Sequence, residues 1–405
     1  MKKLYATTSI TSAARYGLLF IAILFCNIFY ANAQVQKVFT QRTSVYSPTK
    51  KIYNIKGDFT MIGNTNLTLA DYSDTRLNSN NDMILVDADS DGSTSNSSSA
   101  TLTFSTENGA IPSCSNIIYA GLYWTGRTNS FVTTLAKRSI KLKCPGETSY
   151  HTLTAALSDI QYPGDNDMYS GYIEVTDFVR QHGTGAYWVA DMALSTGNGG
   201  PTGYYGGWGM IVVYENSKMK WRDVTVFDGY AYVQGNETVH YDLPISGFNT
   251  TQSGPVNMKL GLMAGEGDVG ILGDYFQIQK VSDASWLSLH HDGNTVNNFF
   301  NSSVFTGGNA RNPNLLNNTG VDISMFTIEN PSNTVITNNQ TSTTFRYGST
   351  QDTYIIFCIA MAVDAYIPYP EGLIAVDNIN GILPGNPPTV QPGQDIEYNV
   401  AIKNK

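Results

Sequence analysis

The chain has 405 residues, a formal net charge of −9 and only 14% charged side chains, whereas Tyr alone occurs 25 times. An acidic chain is repelled by phosphate backbones and by anionic lipid surfaces, which excludes nucleic acid and such membranes as partners. A polar surface with little charge, in which Thr and Tyr suit strands and Asn and Gly suit turns, is typical of an extracellular β protein.

The first 33 residues are predicted to be a secretory signal peptide. Lys2, Lys3 and Arg15 are basic, and residues 17–29 form an apolar run too short to cross a membrane. Small residues precede the expected cleavage site, which lies after Ala33. Loss of the three basic residues would move the formal net charge from −9 to −12. We therefore expect a secreted or cell-surface protein without a transmembrane segment after cleavage.

Short runs rich in β-branched and aromatic residues recur along the chain, separated by Gly, Asn, Pro or Asp, which predicts an all-β fold. The clearest predicted strands are residues 83–86, 117–124, 139–144, 208–214, 224–233, 275–281 and 353–363. A single short helix is predicted at residues 175–182, with Thr176 as its N-cap and Gly183 at its end. Strands of this length and spacing predict one or two β-sandwich lobes of jelly-roll or immunoglobulin type.

Two composition changes suggest domain boundaries. The charged segment 215–220 (ENSKMK) is either a boundary between two lobes or a hairpin loop inside one large domain. Proline-rich segments after residue 365 predict an extended linker. With two lobes, the predicted parts are a signal peptide (1–33), two β-sandwich lobes (34–215 and 216–367), a Pro/Gly-rich linker (368–392) and the first strand of a truncated immunoglobulin-like repeat (393–405).

The strongest local motif consists of Asp87, Asp89 and Asp91, followed by Gly92. Alternate carboxylates and a glycine for a tight turn are what a Ca²⁺ loop requires. The twelfth position is Ser98 and a strand precedes the loop, so this is not an EF-hand. We predict a Ca²⁺ loop, with an acidic solvated turn as the alternative. Further ligands would come from elsewhere in the chain, for instance from Asp165, Asp167, Glu266 or Asp268.

No catalytic motif is present in the sequence. HExxH, GxSxG and paired CxxC motifs are absent, and the five histidines form no metal-binding pattern. His290 and His291 are adjacent and would point to opposite faces of a strand. We therefore expect a protein without catalytic activity.

A glycine-rich segment at residues 197–209 (GNGGPTGYYGGWG) contains Tyr204, Tyr205 and Trp208. Exposed aromatic rings on a rigid loop could stack against sugars, which makes these three residues candidates for glycan binding. The alternative, which the sequence favours, is that Trp208 begins a buried strand, because it continues directly into the apolar residues 210–213.

The mature chain would contain three cysteines, and export permits their oxidation. Residues 117–124 and 135–143 are predicted to pair as a hairpin. In an antiparallel hairpin without bulges, pairing of Trp124 with Thr134 places Cys114 opposite Cys144, within disulfide range. We therefore predict a Cys114–Cys144 disulfide, with Cys358 as a buried free thiol.

Residues 392–404 (PGQDIEYNVAIKN) resemble the opening of the immunoglobulin-like repeats that bacterial surface proteins carry in tandem. Further upstream, the order of four segments resembles the N-terminal globular region that precedes such repeats in large secreted proteins of Bacteroidota and of some Gram-positive bacteria. These segments are CSNIIYAGLYW, VTDFVRQHGTGAYWVADMALSTG, YYGGWGMIVVYEN and RDVTVFDGY. The resemblance implies export and an adhesive or structural role, and it carries over no active site.

Two classes of function follow from the sequence. The first is a secreted surface module with a structural or adhesive role, stiffened by Ca²⁺, whose partners are other surface proteins, extracellular polymers or glycans. The second is a carbohydrate-binding β-sandwich module. Neither class involves nucleic acid.

Overall fold

The computed structural model describes residues 35–162, 167–235, 240–365 and 370–404. The predicted signal peptide and Asp165 lie outside these residues. Strands account for 49% of the structure and helices for 7%, which confirms the predicted all-β, sandwich-like fold. The chain forms two compact units, one ending at Ala365 and one beginning at Tyr366. Within the described ranges, no helix is long and apolar enough to cross a membrane.

The helices are short. Two α-helices occur in the described part of the chain, α1 (Thr134–Arg138) and α2 (Thr176–His182). Four 3-10 turns complete the helical structure, at Glu107–Gly109, Pro112–Cys114, Leu157–Asp159 and Pro331–Asn333.

Twenty-five strands make up the described structure. The first thirteen are β1 (Val35–Gln41), β2 (Tyr53–Thr65), β3 (Leu67–Leu69), β4 (Asp82–Leu85), β5 (Ser97–Leu102), β6 (Asn116–Arg127), β7 (Ser139–Lys143), β8 (His151–Thr154), β9 (Ile160–Gln161), β10 (Met168–Glu174), β11 (Gly185–Ala190), β12 (Gly197–Asn198) and β13 (Tyr205–Glu215). The remaining twelve are β14 (Trp221–Val233), β15 (Tyr241–Ser246), β16 (Met258–Gly265), β17 (Asp274–Gln279), β18 (Trp286–Ser288), β19 (Val304–Phe305), β20 (Arg311–Asn312), β21 (Val321–Ile328), β22 (Ser342–Ser349), β23 (Tyr354–Asp364), β24 (Pro370–Ile379) and β25 (Ile396–Asn404).

An eleven-stranded sheet runs through the first unit in the order β19-β21-β16-β23-β14-β2-β13-β6-β10-β9, with β1 paired to β14. A five-stranded sheet has the order β20-β5-β11-β7-β8, a four-stranded sheet the order β15-β22-β17-β18, and a three-stranded sheet the order β12-β4-β3. In the large sheet, β14 pairs with β2 only between residues 221–224 and 53–56. This short pairing joins two halves, β19 to β14 and β2 to β9.

Three apolar cores separate four layers of sheet. The five-stranded sheet packs through one core on β2, β6, β10 and β13, and the four-stranded sheet packs through another on β14, β16, β21 and β23. The third core lies between the two halves of the large sheet, whose inner faces pack together. Strand β23 is therefore buried on both faces: Ile356 and Met361 belong to one core, Ile355 and Ala360 to the third.

Glycines allow the two halves of the large sheet to approach closely. A Cβ atom at Gly63 in β2 would lie 2.3 Å from Ile323 Cδ1 in β21. One at Gly261 in β16 would lie 2.5 Å from Met61 Sδ in β2. Any larger residue at these positions would force the layers apart.

The predicted boundary at residue 215 separates two of the apolar cores, but it does not separate two domains. The core beneath the five-stranded sheet is formed by residues between 62 and 219. The core beneath the four-stranded sheet is formed by residues between 227 and 363, together with Phe39. However, β13 and β14, on either side of the division, both pair with β2. The ranges 34–215 and 216–367 are thus two halves of one unit, and a loop inside one large domain is the correct alternative.

Helix α2 confirms the predicted helix at residues 175–182. Gly183 ends it as expected, with φ 63° and its N–H donating to the carbonyl of Val179. Thr176 is not the N-cap, because its hydroxyl donates to Glu174 and accepts from the N–H of Ala120. Helix α1 was not predicted and occupies residues expected to begin a strand, so the prediction of a single helix is wrong.

The second unit contains one antiparallel pair, β24 with β25. Part of the predicted linker (368–392) is therefore a strand, and the strand predicted in residues 393–405 has a partner within the chain. Leu373, Ile374, Val400 and Ile402 on this pair are exposed. A two-stranded sheet buries little apolar surface, so this unit adds little to the folding free energy.

We expect a chain that ends after Ala365 to keep the melting temperature of the full mature protein. The reason is that the three large cores of the first unit and its small cluster of Leu67, Leu69 and Met83 all come from residues between 39 and 363. Differential scanning calorimetry measures this. A control chain ending after Thr353 lacks β23, which contributes to two cores, and should lose cooperative unfolding. A marked loss of stability in the chain that ends after Ala365 would contradict the prediction.

Candidate metal centre

Asp89 of the predicted Ca²⁺ loop is already bonded to protein donors. Its Oδ2 lies 3.2 Å from Lys143 Nζ and accepts from the hydroxyl of Tyr150, and its Oδ1 accepts from Ser97 Oγ at 2.7 Å. Partial burial acts to raise the pKa of Asp89, but the hydrogen bonds from Tyr150 and Ser97 lower it to about 2. This carboxylate is ionised and neutralised without an added ion.

Asp87 and Asp91 also have local partners. Asp87 Oδ1 accepts from Ser97 Oγ at 3.0 Å, and Asp91 Oδ1 accepts from the backbone N–H of Ser93 at 3.0 Å. The described residues include two groups of three potential ligands that converge on one point, and this loop contributes to neither. Calcium binding at Asp87, Asp89 and Asp91 stays a prediction, and the hydrogen bonds also fit the alternative of an acidic turn.

The hairpin used to predict the Cys114–Cys144 disulfide is not formed. Trp124 in β6 pairs with Gly171 and Trp208, while β7 pairs with β8 and β11. Cys114, Cys144 and Cys358 are all free thiols, with Cys358 buried as predicted. The geometric basis of the bridge is therefore wrong. Burial raises the pKa of the Cys144 thiol to about 12, so this thiol is not a nucleophile at neutral pH.

The three aromatic candidates for glycan binding do not form an exposed platform. Trp208 is buried in β13, and its Nε1 donates to Ser98 Oγ at 2.9 Å. Tyr205 is fully buried, whereas Tyr204 is half-buried with its ring 5.7 Å from the Arg127 guanidinium. The sequence alternative, in which Trp208 begins a buried strand, is confirmed, and a three-ring glycan platform is wrong.

A buried cluster of carboxylates forms the candidate metal centre. Oxygens of Glu266, Asp268 and Asp352 all lie within 4.8 Å of one another. Each residue is 3% exposed or less. We call these three residues, together with the nearby Asp274 and Asp322, the acidic cluster; the last two are also at most 1% exposed.

Strand pairing brings the acidic cluster together. Gly265, at the end of β16, pairs with Val321 at the start of β21 and with Ile355 near the start of β23. Glu266 and Asp268 follow β16, Asp322 is the second residue of β21, and Asp352 precedes β23. Asp274 begins β17 in the four-stranded sheet. The cluster therefore lies at one end of the sandwich formed by these two sheets.

Two carboxylate oxygens in the cluster are buried without a hydrogen-bond partner, Asp274 Oδ2 and Asp322 Oδ2. The other oxygen of each residue is bonded: Asp274 Oδ1 accepts from two backbone N–H groups, and Asp322 Oδ1 accepts from the N–H of Ser303 at 3.0 Å. Asp322 Oδ2 lies against Gly267, where a Cβ atom would be 2.6 Å from it. Gly267 separates Glu266 from Asp268 in the chain, so this unpartnered oxygen lies beside the segment that carries two of the three convergent carboxylates.

Burial raises the pKa of every carboxyl group in the cluster. The pKa of Asp274 rises to about 6, that of Asp268 to about 7 and that of Asp352, which also faces Asp268, to about 9. The pKa values of Glu266 and Asp322 rise well above their usual range, again mainly through burial. Without an added positive charge, the folded protein must therefore hold protons here at neutral pH.

The donor set suits a hard divalent cation. All the available ligand atoms are oxygens, and Ca²⁺ takes six to eight of these from carboxylates, carbonyls and water. Glu266 adopts a left-handed conformation, with φ 76°. This conformation is uncommon for a residue other than glycine, although eleven other non-glycine residues in the described part of the chain also have positive φ. Glu266 and Asp268 were named from sequence as supplementary ligands, whereas Asp274, Asp322 and Asp352 were missed because no local motif contains them.

A second group of polar side chains, His291 and Ser324, resembles part of a catalytic triad but has the wrong proton arrangement. His291 Nδ1 accepts from the N–H of Gly293 at 3.0 Å, so Nε2 carries the proton and donates to Ser324 Oγ at 2.9 Å. Burial lowers the pKa of His291 to about 4. Nucleophilic catalysis requires the ring to accept the serine proton, and in this arrangement the ring cannot accept it.

Neither a protein-family model nor a curated protein sequence matches the chain. Among solved structures, the chain is similar to the major capsid protein P2 of bacteriophage PM2, with a TM-score of 0.19, 11% identity and coverage of 75% of this chain and 97% of that chain. It is also similar to a peptide-N4-(N-acetyl-β-D-glucosaminyl) asparagine amidase, with a TM-score of 0.24, 12% identity and coverage of 76% and 97%.

A third similar structure is PNGase F, a glycosylasparaginase from Flavobacterium meningosepticum, with a TM-score of 0.21, 12% identity and coverage of 76% of this chain and 97% of that chain. TM-scores and identities this low assign no activity, ligand or site residue to this chain.

We expect the melting temperature in excess chelator to fall between about pH 5 and about pH 8, and to fall less in Asp352→Asn. The folded pKa of Asp352 is raised from 3.8 to about 9. The native state therefore binds a proton that the unfolded state releases, and its stability decreases as pH rises through this range. Calorimetry at the two pH values measures the difference. An equal fall in both proteins would contradict the prediction.

Proposed function

We propose that the chain is a secreted structural and adhesive module of a bacterial surface protein, without catalytic activity, whose fold is stiffened by Ca²⁺ bound in the acidic cluster. Export is supported by the predicted signal peptide, and a surface role by the resemblance to regions that precede immunoglobulin-like repeats. The calcium site proposed here differs from the predicted loop at Asp87, Asp89 and Asp91.

The observation that carries the proposal is the pair of unpartnered oxygens, Asp274 Oδ2 and Asp322 Oδ2, beside three convergent buried carboxylates. A buried polar atom without a partner costs about 1–3 kcal/mol, and more when it is charged. Arg127 lies close enough to lower the pKa of Glu266, but its Nη1 also donates to the carbonyls of Gly199 and Gly203. One guanidinium cannot balance five carboxylates, whereas a divalent cation would supply two further positive charges.

Calcium at this position would connect separate parts of the chain. Glu266 and Asp268 follow β16, Asp274 belongs to the four-stranded sheet, and Asp352 joins β22 to β23. An ion held by these residues would tie the end of the large sheet to the sheet packed on it. We infer that its role is mechanical, because the site is buried and leaves little room for a substrate.

We expect Ca²⁺ to raise the melting temperature of mature residues 34–405 relative to chelator. A ligand that binds only the native state stabilises it by about 2.7 kcal/mol at 100 times its dissociation constant. Asp322→Asn should lose this response and should also melt at a higher temperature than wild type in chelator at neutral pH, because the wild-type carboxyl must take up a proton on folding and the amide need not. Calorimetry with Ca²⁺, Mg²⁺ or chelator measures both effects.

Asp89→Asn is the matched control, since it changes the same residue type in the predicted loop. It should lower the stability through its lost hydrogen bonds while keeping the response to Ca²⁺. Loss of the response in Asp89→Asn and its retention in Asp322→Asn would assign calcium to the loop and overturn the proposed centre. No response in wild type would overturn calcium binding at both places.

Adhesion should also depend on calcium. Beads coated with the mature protein are expected to bind bacterial or host surfaces in Ca²⁺ and to bind several-fold less in chelator, because a less rigid module presents its surface less well. Beads coated with Asp322→Asn should show the same binding in both conditions. Discrete hits on a glycan array, with no binding to deglycosylated surfaces, would favour the carbohydrate-binding alternative instead.

A further inference from the structure

A second cluster of potential metal ligands lies in the half of the first unit that does not contain the acidic cluster. Cys144 follows β7, Glu147 lies in the turn after it, and His182 is the last residue of α2. The Cys144 sulfur, a Glu147 oxygen and a His182 ring nitrogen all lie within 4.8 Å of one another. We call these residues the Cys–Glu–His cluster. It shares no residue with the acidic cluster and does not depend on the proposed function.

The backbone holds the turn that carries Glu147 against Cys144. The N–H of Glu147 donates to the carbonyl of Cys144 at 3.1 Å, and the N–H of Cys144 donates to Glu147 Oε2 at 2.9 Å. Gly146 adopts a φ of 82° between them, a conformation that favours glycine. The carboxylate is therefore fixed beside the thiol.

The orientation of His182 is that of a metal ligand. Its Nδ1 lies 3.1 Å from the carbonyl of Pro145, which can only accept, so Nδ1 carries the proton. Nε2 faces the cluster, 3.4 Å from Glu147 Oε1, and offers its lone pair there when the ring is neutral. Metal-binding histidines usually donate their other ring N–H to a carbonyl or carboxylate in this manner, which fixes the tautomer and the ring plane.

A second histidine orients the carboxylate. His151 Nε2 lies 2.7 Å from Glu147 Oε1. The side chain of His151 is 44% exposed, while those of Glu147 and His182 are 20% and 15% exposed and Cys144 is buried. The cluster is thus open to solvent on the side of the histidines and closed on the side of the sulfur, so an ion has a route of entry.

We propose that Cys144, Glu147 and His182 bind a Zn²⁺ ion through the thiolate sulfur, a carboxylate oxygen and Nε2, with His151 as a positioning residue. Thiolate, imidazole and carboxylate together are the ligand set of zinc and of other borderline-soft ions, whereas Ca²⁺ takes oxygen ligands alone. The thiol proton leaves to solvent on binding. Three protein ligands leave the fourth tetrahedral position to water or to a group from another molecule.

Zinc in this cluster would fasten the end of α2 to the turn after β7. These segments otherwise meet through the contact of His182 with Pro145 and Glu147. Such an ion would stabilise the outer five-stranded sheet, to which β7 belongs, independently of calcium at the other half of the unit.

Titration of the mature protein with Co²⁺, in the presence of a phosphine reductant, tests the proposal. A sulfur-to-cobalt charge-transfer band in the near ultraviolet and intense visible bands should appear at one equivalent, and Zn²⁺ should remove them. Cys144→Ser should lose the charge-transfer band. His151→Gln should weaken binding roughly 10- to 100-fold, as expected for an outer-shell partner, and His182→Gln should weaken it more, because it removes a direct ligand.

Cys114→Ser is the matched control, because Cys114 is a free, exposed cysteine outside the cluster. It should keep the full spectrum. Absence of a charge-transfer band in wild type, its persistence in Cys144→Ser or its loss in Cys114→Ser would each overturn the assignment. Glu147→Gln provides a second test at a more exposed position should Cys144→Ser fail to fold. If these variants keep their stabilisation by calcium, their loss of zinc binding is independent of the proposed function.

Discussion

Burial of both faces of the eleven-stranded sheet constrains where this protein can place polar groups. All eleven residues of β23 are buried, and ten of the eleven in β13. Polar side-chain atoms are disfavoured along these strands, because an unpaired polar atom in such a layer costs free energy. Charged residues within the sheet are paired, as Asp58 in β2 is with Lys259 and Asp228 in β14 with Arg42. An acidic group without a basic partner is disfavoured there and is expected at strand ends or in loops. The acidic cluster, at the ends of β16, β21 and β23, follows from this constraint.

The two candidate metal sites differ in chemistry as they differ in location. The acidic cluster offers only oxygens and is enclosed where the large sheet meets the four-stranded sheet. The Cys–Glu–His cluster offers sulfur, nitrogen and oxygen and opens to solvent beside the five-stranded sheet. Each outer sheet of the unit would thus have its own ion, Ca²⁺ at the four-stranded sheet and Zn²⁺ at the five-stranded sheet. The different ligand atoms would disfavour exchange of one ion for the other.

Much of the architecture could be predicted from sequence because it depends on local patterns. The apolar runs at 208–214 and 353–363 predicted β13 and β23, and Gly183 predicted the end of α2. Which strands pair with each other was harder to predict from sequence. Trp124 was assigned to a hairpin with the next segment, but it pairs with residues 171 and 208, and so the disulfide argument failed with the register.

The candidate site shows the same division between local and non-local information. Asp87, Asp89 and Asp91 form a motif that is visible in six consecutive residues, yet the structure gives them donors nearby. The acidic cluster takes its members from residues 266 to 352, and the pairing of β16 with β21 and β23, with the four-stranded sheet packed on them, brings them together. Spacing along the chain carries no signal for such a site. The best sequence indication of the acidic cluster would have been the number of acidic residues at predicted strand ends.

The pairing of β14 with β23 has a consequence for the time at which the protein can fold. Strand β14 spans residues 221–233 and its partner residues 354–364, so the large sheet cannot close until nearly the whole first unit has been synthesised. Folding dominated by contacts between distant residues is slow. Under the export proposed above, late closure would keep the chain unfolded while it crosses the membrane. The acidic cluster would then first meet abundant calcium outside the cell, where the last strand arrives.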